Sequence, residues 1–168
     1  MQRVFTPWRI EYVRRTEQPG CIFCDLPEAG DDREALVVHR GERAYIVLNK
    51  YPFNNGHFMA VPYRHASSLE ELSPEELADL MALVNLGTRA LRSCMRPAGF
   101  NIGVNIGKAA GAGVQGHVHM HVVPRWGGDA NFMAVVADVK LIPQTLAETY
   151  DQLKAAIDAA LADGQEGA

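Results

Sequence analysis

His117-Val118-His119-Met120-His121-Val122-Val123 decides how the rest of this chain is read. Three histidines alternate with apolar residues, and the β-branched valines and the following Pro124 favour a strand over a helix. Side chains of a strand point alternately to its two faces. The three imidazoles therefore share one face, and Val118, Met120 and Val122 share the other, which is expected to pack on a core. Neighbouring imidazoles are then about 7 Å apart at the backbone, twice the strand rise. A central neutral ring in such a row is a competent nucleophile near pH 7, while its neighbours bind a metal, a backbone carbonyl or a leaving group. Two other readings compete. One is a surface strand that happens to be rich in histidine. The other is a three-histidine metal site, although ligands at i, i+2 and i+4 spread along a line where a small ion needs them to converge.

Upstream, Gly107, Gly111, Gly113 and Gly116 crowd the residues before the histidine row. Glycines allow close backbone approach, and successive N–H groups can cradle phosphate oxygens; a plain hairpin connection is the alternative. Strands are expected at Ala35–His39, Arg43–Asn49, His57–Val61, Phe100–Gly107 and His117–Val123. Gly41-Glu42 and Asn54-Asn55-Gly56 supply turns. Ser73-Pro74-Glu75-Glu76 is a helix start with a capping box, followed by Leu77, Leu80, Met81, Val84, Thr88 and Leu91 at helical spacing over 74–93. A last helix over 144–161 places Leu146, Tyr150, Leu153, Ile157 and Leu161 on one face, and the tail from Asp163 to Ala168 is expected to fray. The short early connections cannot hold parallel crossovers, so the fold class is α+β, with an antiparallel sheet of about five strands.

The whole chain, 1–168, reads as a single domain, with residues 1–20 wrapping onto the body through Phe5, Trp8 and Tyr12 and an N-terminal segment 1–30 expected to bind zinc through its two cysteines. A net charge of −4 argues against nucleic-acid binding, which wants a basic surface. No run approaches the roughly 20 apolar residues that span a bilayer, and the first ten residues lack the apolar core of a secretory signal. Three cysteines, an odd number, suit a reducing compartment, so a cytoplasmic protein is expected.

Cys21-Ile22-Phe23-Cys24 has the spacing with which two thiolates grip one zinc, and no βαβ context supports a redox motif instead. From the residues alone, His39, His57, His65 and the histidine row all qualify as the remaining ligands. Cys94 reads as a small buried residue of the long helix.

The segment His117–Val123 resembles the signature of the histidine triad family. The resemblance covers residues 35–126, including Asn49, the Gly56-His57 strand start and Val61-Pro62 with His65. Trp8-Arg9, the Cys21/Cys24 pair and Pro124-Arg125-Trp126-Gly127-Gly128-Asp129-Ala130-Asn131-Phe132-Met133 narrow it towards the bacterial diadenosine tetraphosphate phosphorylase or hydrolase branch. This resemblance implies the triad fold and a homodimer whose sheets join. It implies a catalytic His119 that forms a nucleotidyl-histidine intermediate on the α-phosphate of a dinucleoside polyphosphate, with an adenine nucleotide favoured, and His121 on the phosphate or leaving-group oxygen. Asn49 matches a ribose-binding position and Asn105 a phosphate-contacting amide. The zinc ligands it implies are Cys21, Cys24, His65 and His117, and the zinc is structural. Many triad proteins carry a hydroxyl residue just before the first histidine, where this chain has Gly113-Val114-Gln115-Gly116. The donor to the leaving group is then Gln115, His121 or a water. Lys108 and Arg125 are candidates to neutralise distal phosphates, and Trp8 and Trp126 to stack on a base or close a dimer interface. A nucleoside phosphoramidase and a slow nucleotide-binding sensor or adaptor are the alternative functions.

Overall fold

The computed structural model describes residues 20–129 and 142–165. Phe5, Trp8, Tyr12, the stretch from Ala130 to Met133 and the last three residues lie outside them. A four-residue helix α1 (Ile22–Asp25) is followed by strands β1 (Val37–Arg40), β2 (Ala44–Leu48) and β3 (Phe58–Pro62). Helix α2 (Pro74–Cys94), strands β4 (Gly99–Val104) and β5 (Met120–Arg125), and helix α3 (Leu146–Gln165) complete the order. The five strands form one sheet in the order β1-β2-β3-β5-β4, antiparallel at every pairing.

The sheet has two different faces. Ala44, Ile46, Leu48, Phe58, Ala60, Val118 and Val122 point to the side covered by α2 and α3, where they meet Leu80, Val84, Leu91, Leu153 and Ile157. Tyr45, Val47, Met59 and Val61 alternate with them and pack under Phe23 from the N-terminal segment. Strand β2 is buried on both sides, which its unbroken apolar run Ala44–Leu48 requires.

The capping box at the start of α2 is present. The Glu76 N–H donates to Ser73 Oγ at 3.3 Å, and the Ser73 N–H donates to Glu76 Oε2 at 2.7 Å. The expected stripe is partly corrected: Met81 is exposed, whereas Leu83, Leu86, Gly87 and Ala90 are buried. The buried arc is wider because α2 meets both the sheet and α3. Leu161 likewise stands exposed beyond the packed part of α3, and the helix runs on through Gly164 to Gln165.

Gly87 is needed for close approach. A Cβ there would sit against the Phe58 ring, 2.8 Å from Cε1 and 2.9 Å from Cε2. Gly87→Ala is therefore expected to destabilise the fold by about 1–3 kcal/mol despite alanine's better helix propensity. Urea unfolding with an unchanged or higher midpoint would contradict this packing.

Every strand limit is displaced from the expected one by between one and three residues, and three of the displacements have a visible cause. Strand β1 starts at Val37 because Leu36 adopts φ +60° and the register shifts between Val37 and His39. Strand β4 stops at Val104, before Gly107 turns the chain with φ +78°. Strand β5 begins at Met120, three residues later than expected. Pro62 ends β3 and has no N–H to donate. Its carbonyl takes the imidazole of His117 at 2.8 Å, so a side chain replaces the next rung of the ladder.

Candidate active site and metal centre

The histidine row lies on the sheet face away from the long helices, as the alternation required. Val118, Met120 and Val122 join the helix-side core, while the ring of His119 meets Phe23 at 4.7 Å and that of His121 at 4.9 Å. The pairing Met59↔His121↔Gly103 fixes this part of β5 between the central strand β3 and the edge strand β4.

His119 is 4% exposed. Its Nδ1 lies 2.8 Å from the carbonyl oxygen of His117. A carbonyl can only accept, so the proton sits on Nδ1 and the lone pair on Nε2. Burial holds the imidazolium below its ordinary range, with the carbonyl contact opposing it. The result is a neutral ring with one available nucleophilic nitrogen.

His121 is surrounded differently. Its Nδ1 lies 3.0 Å from Nε2 of His57, and the two rings are 5.2 Å apart. His57 is 1% exposed and stacks on Phe53, with ring centroids 5.1 Å apart and planes 16° from parallel. Burial, with His119 adding to it, pushes the His121 imidazolium down to about 4.

That shift sets the sign of a pH effect. In the unfolded chain His121 gains its proton near 6.5, but in the fold only near 4. The unfolded state binds more protons between these values, so stability is fully present above 6.5 and falls as pH drops through the window. The loss from this group is up to about 3 kcal/mol. His121→Gln, which cannot titrate, is expected to flatten that part of the urea-derived stability profile. An equally steep profile in the variant would contradict the assignment.

Cys21, Cys24, His65 and His117 converge at the other end of the row. Their donor atoms lie within 4.8 Å of one another, the one such histidine, cysteine and carboxylate group among the described residues. His39 and His57 are not part of it. The spacings from His117 Nδ1 to the Cys21 and Cys24 sulfurs are 3.3 and 3.5 Å, and Cys24 Sγ lies 3.4 Å from His65 Nδ1. A tetrahedral zinc with bonds of about 2.0–2.3 Å has ligand–ligand edges of roughly 3.3–3.8 Å, and these three spacings fall in that range. His117 Nε2–H donates to the Pro62 carbonyl, which leaves the Nδ1 lone pair facing the sulfurs. Burial and the adjacent Cys21 raise the Cys24 thiol to about 11, so a thiolate there calls for a cation.

The remaining sequence candidates are spread around this centre. Asn49 closes the β2–β3 hairpin opposite His57, with its N–H on the His57 carbonyl at 3.0 Å, and its Oδ1 accepts from the Tyr51 N–H. Asn105 follows β4 and is half-buried, and Gln115 is exposed in the glycine loop; neither is hydrogen-bonded to the row. Lys108 is exposed. Arg125 donates to Asp129 at 2.6 Å and to Asn101 at 2.7 Å. Trp126 donates to the Met95 carbonyl, and Cys94 is half-buried in α2. Phe23 and Phe53, the rings flanking the histidines, escaped the sequence reading. The only signal was an aromatic between the two cysteines and another before the Asn54-Asn55-Gly56 turn.

A family model for the HIT domain matches residues 31–128. The chain belongs to the HIT domain family. Over 158 aligned residues it is 46% identical to the AP-4-A phosphorylase of Mycobacterium tuberculosis, covering 89% of this HIT protein and 80% of that one. A HIT-like protein of Saccharolobus solfataricus is 34% identical over 67% of this chain and 79% of its own. Among solved structures, a zinc-bound histidine triad family protein from Mycobacterium smegmatis superposes with a TM-score of 0.70 at 29% identity, covering 86% of this chain and 97% of its own. The five-stranded antiparallel sheet with its helices is thus the HIT fold. Among the described residues, no helix is long and apolar enough to cross a membrane.

Proposed function

We propose that this HIT protein is a nucleotidyltransferase that cleaves dinucleoside polyphosphates at the α-phosphate through a covalent intermediate on His119. The observation that carries the reading is the His119 tautomer: with Nδ1–H on the His117 carbonyl, Nε2 holds the lone pair of a neutral ring. That nitrogen attacks the α-phosphorus. The N–P bond forms, the bond to the bridging oxygen breaks, and the leaving nucleotide departs with the electron pair. An oxygen of orthophosphate then displaces the imidazole and releases a nucleoside diphosphate; water in its place would release the monophosphate. The 46% identity to a protein named AP-4-A phosphorylase supports dinucleoside tetraphosphate as substrate and phosphate as second nucleophile.

Asn49 beside the row, Asn105 at the end of β4 and Gln115 in the glycine loop are the amides assigned to the ribose and phosphates. Cys21, Cys24, His65 and His117 would hold a structural zinc, supported by their tetrahedral spacing and by the zinc-bound M. smegmatis relative. A zinc there would supply a fixed anchor for the N-terminal segment and for the chain entering β5. A homodimer belongs to the same reading. Strand β4 is a sheet edge, and Ile102 on it and Ile106 just after it are 49% and 42% exposed.

The deciding experiment is product analysis on diadenosine tetraphosphate with and without phosphate, after a single-turnover acid quench. Adenylyl-His119, with ADP released only when phosphate is present, is the expected result. Turnover with no label on His119 would overturn the covalent route, and AMP release independent of phosphate would overturn the phosphorylase assignment.

A further inference from the structure

Between the β2–β3 turn and the start of α3 lies a cavity of about 200 Å³. Among the described residues, Leu48, Pro52, Ile142 and Leu146 form its apolar wall, Asn55 and Thr149 are polar members, and the lining surface is predominantly apolar. His57 borders it, but no residue of the histidine row or of the metal cluster does. The cavity is therefore a place of its own.

Asn55 is only 8% exposed, and its Oδ1 is the one buried side-chain nitrogen or oxygen among the described residues without a hydrogen-bond partner. A relay of amides fixes the identity of that atom. The Cys94 carbonyl at the end of α2 can only accept, and Gln152 Nε2 donates to it at 2.9 Å. Gln152 Oε1 is then left to accept from Gln144 Nε2 at 3.0 Å, and Gln144 Oε1 to accept from Asn55 Nδ2. Each amide is held in one orientation by the next. The group that Asn55 leaves outside the relay is thus an oxygen, which accepts and cannot donate. A buried acceptor without a donor is costly.

We propose that this cavity is a binding site for a small neutral molecule with an apolar body and one N–H or O–H group that donates to Asn55 Oδ1. Each part of that description has its counterpart in the wall. An ion would lose its hydration in a space whose described lining holds no charged residue. A water needs several polar partners to be held, and this wall offers few. Size points to a single ring: a cavity of about 150 Å³ already takes up benzene, so this one has room for a ring with one polar substituent. Ile142, one of the lining residues, is exposed, which gives a small molecule a way in. The occupant would touch Leu48 and Asn55 on the hairpin and Leu146 and Thr149 on α3, and so tie the two elements together. The site is independent of the nucleotidyl-transfer reading, and neither falls with the other.

Phenol is the probe, with toluene as a ring of similar shape that has no donor. In methyl spectra of the full chain, phenol is expected to shift Leu48, Ile142 and Leu146 saturably with a Kd of about 1 mM or lower, and to raise Tm as it does so. Asn55→Leu should weaken phenol about tenfold or more while changing toluene by less than about threefold. Leu146→Phe, which fills the space, should abolish uptake of both. Where Asn55→Leu does not fold, a crystal of the parent soaked in phenol gives the same answer, with the hydroxyl expected on Asn55 Oδ1. Methyls unmoved at about 10 mM phenol would overturn the proposal. So would an equal loss of phenol and toluene in Asn55→Leu, or a soaked crystal in which only an ordered water meets Asn55 Oδ1.

Discussion

Replacing His119 by alanine is expected to lower turnover on the order of 10⁴-fold or more while leaving nucleotide affinity within about tenfold, or 1.4 kcal/mol. The two numbers differ because the ring does two unequal jobs. In its proposed role as nucleophile it would supply the bond that divides one phosphoryl displacement into two, and alanine offers no atom in its place. As a binding surface it is one buried ring among several, flanked by Phe23 and His121, which remain. Its hydrogen bond to the His117 carbonyl is also lost, but a water can take that acceptor. Active-site titration with labelled diadenosine tetraphosphate, alongside equilibrium binding of AMP, separates the effects. Turnover within tenfold of the parent would remove His119 from the role of nucleophile.

Cys24→Ser is expected to release the metal and to lower stability by roughly 2–5 kcal/mol, which for a chain of this size is a fall of about 5–15 °C in Tm. The effect is smaller than in a zinc finger, which has no core without its ion, because the HIT sheet is held by its own apolar clusters. It remains large because Cys24 stands against both histidine donors, at 3.4 and 3.5 Å, so its loss leaves both without that neighbour and the site with three ligands. Metal analysis of the purified protein and thermal melting with and without a chelator check it. A parent without bound zinc and a variant with unchanged melting would together refute the staple.

What the sequence disclosed follows from how far apart the interacting residues are. The Ser73–Glu76 box and the alternation of the histidine row are local patterns, and both hold in the structure. The strand limits failed where a distant partner intervened, as when the Pro62 carbonyl captured His117 and stopped the ladder short of it. The cysteine spacing pointed to a metal but could not select His65 and His117, which are 41 and 93 residues from Cys24. Family resemblance did that, and the tetrahedral spacing gives a physical reason. The partnership of His57 and His121 depends on hairpin register, which leaves no mark in composition or periodicity. Met81 and Leu161 were misplaced for a simpler reason: a 3.6-residue period finds the centre of a buried stripe, not its width or its end.

The helix α1 is only four residues long, yet the Phe23 ring inside it rests 5.7 Å from His117 and 4.7 Å from His119. A thiol stands on either side of that ring in the sequence, so the candidate metal site and the histidine row share one wall. Energetic changes on its two sides are not separable: substitutions at Phe23 and at the cysteines are coupled through the same contact, and their costs do not simply add.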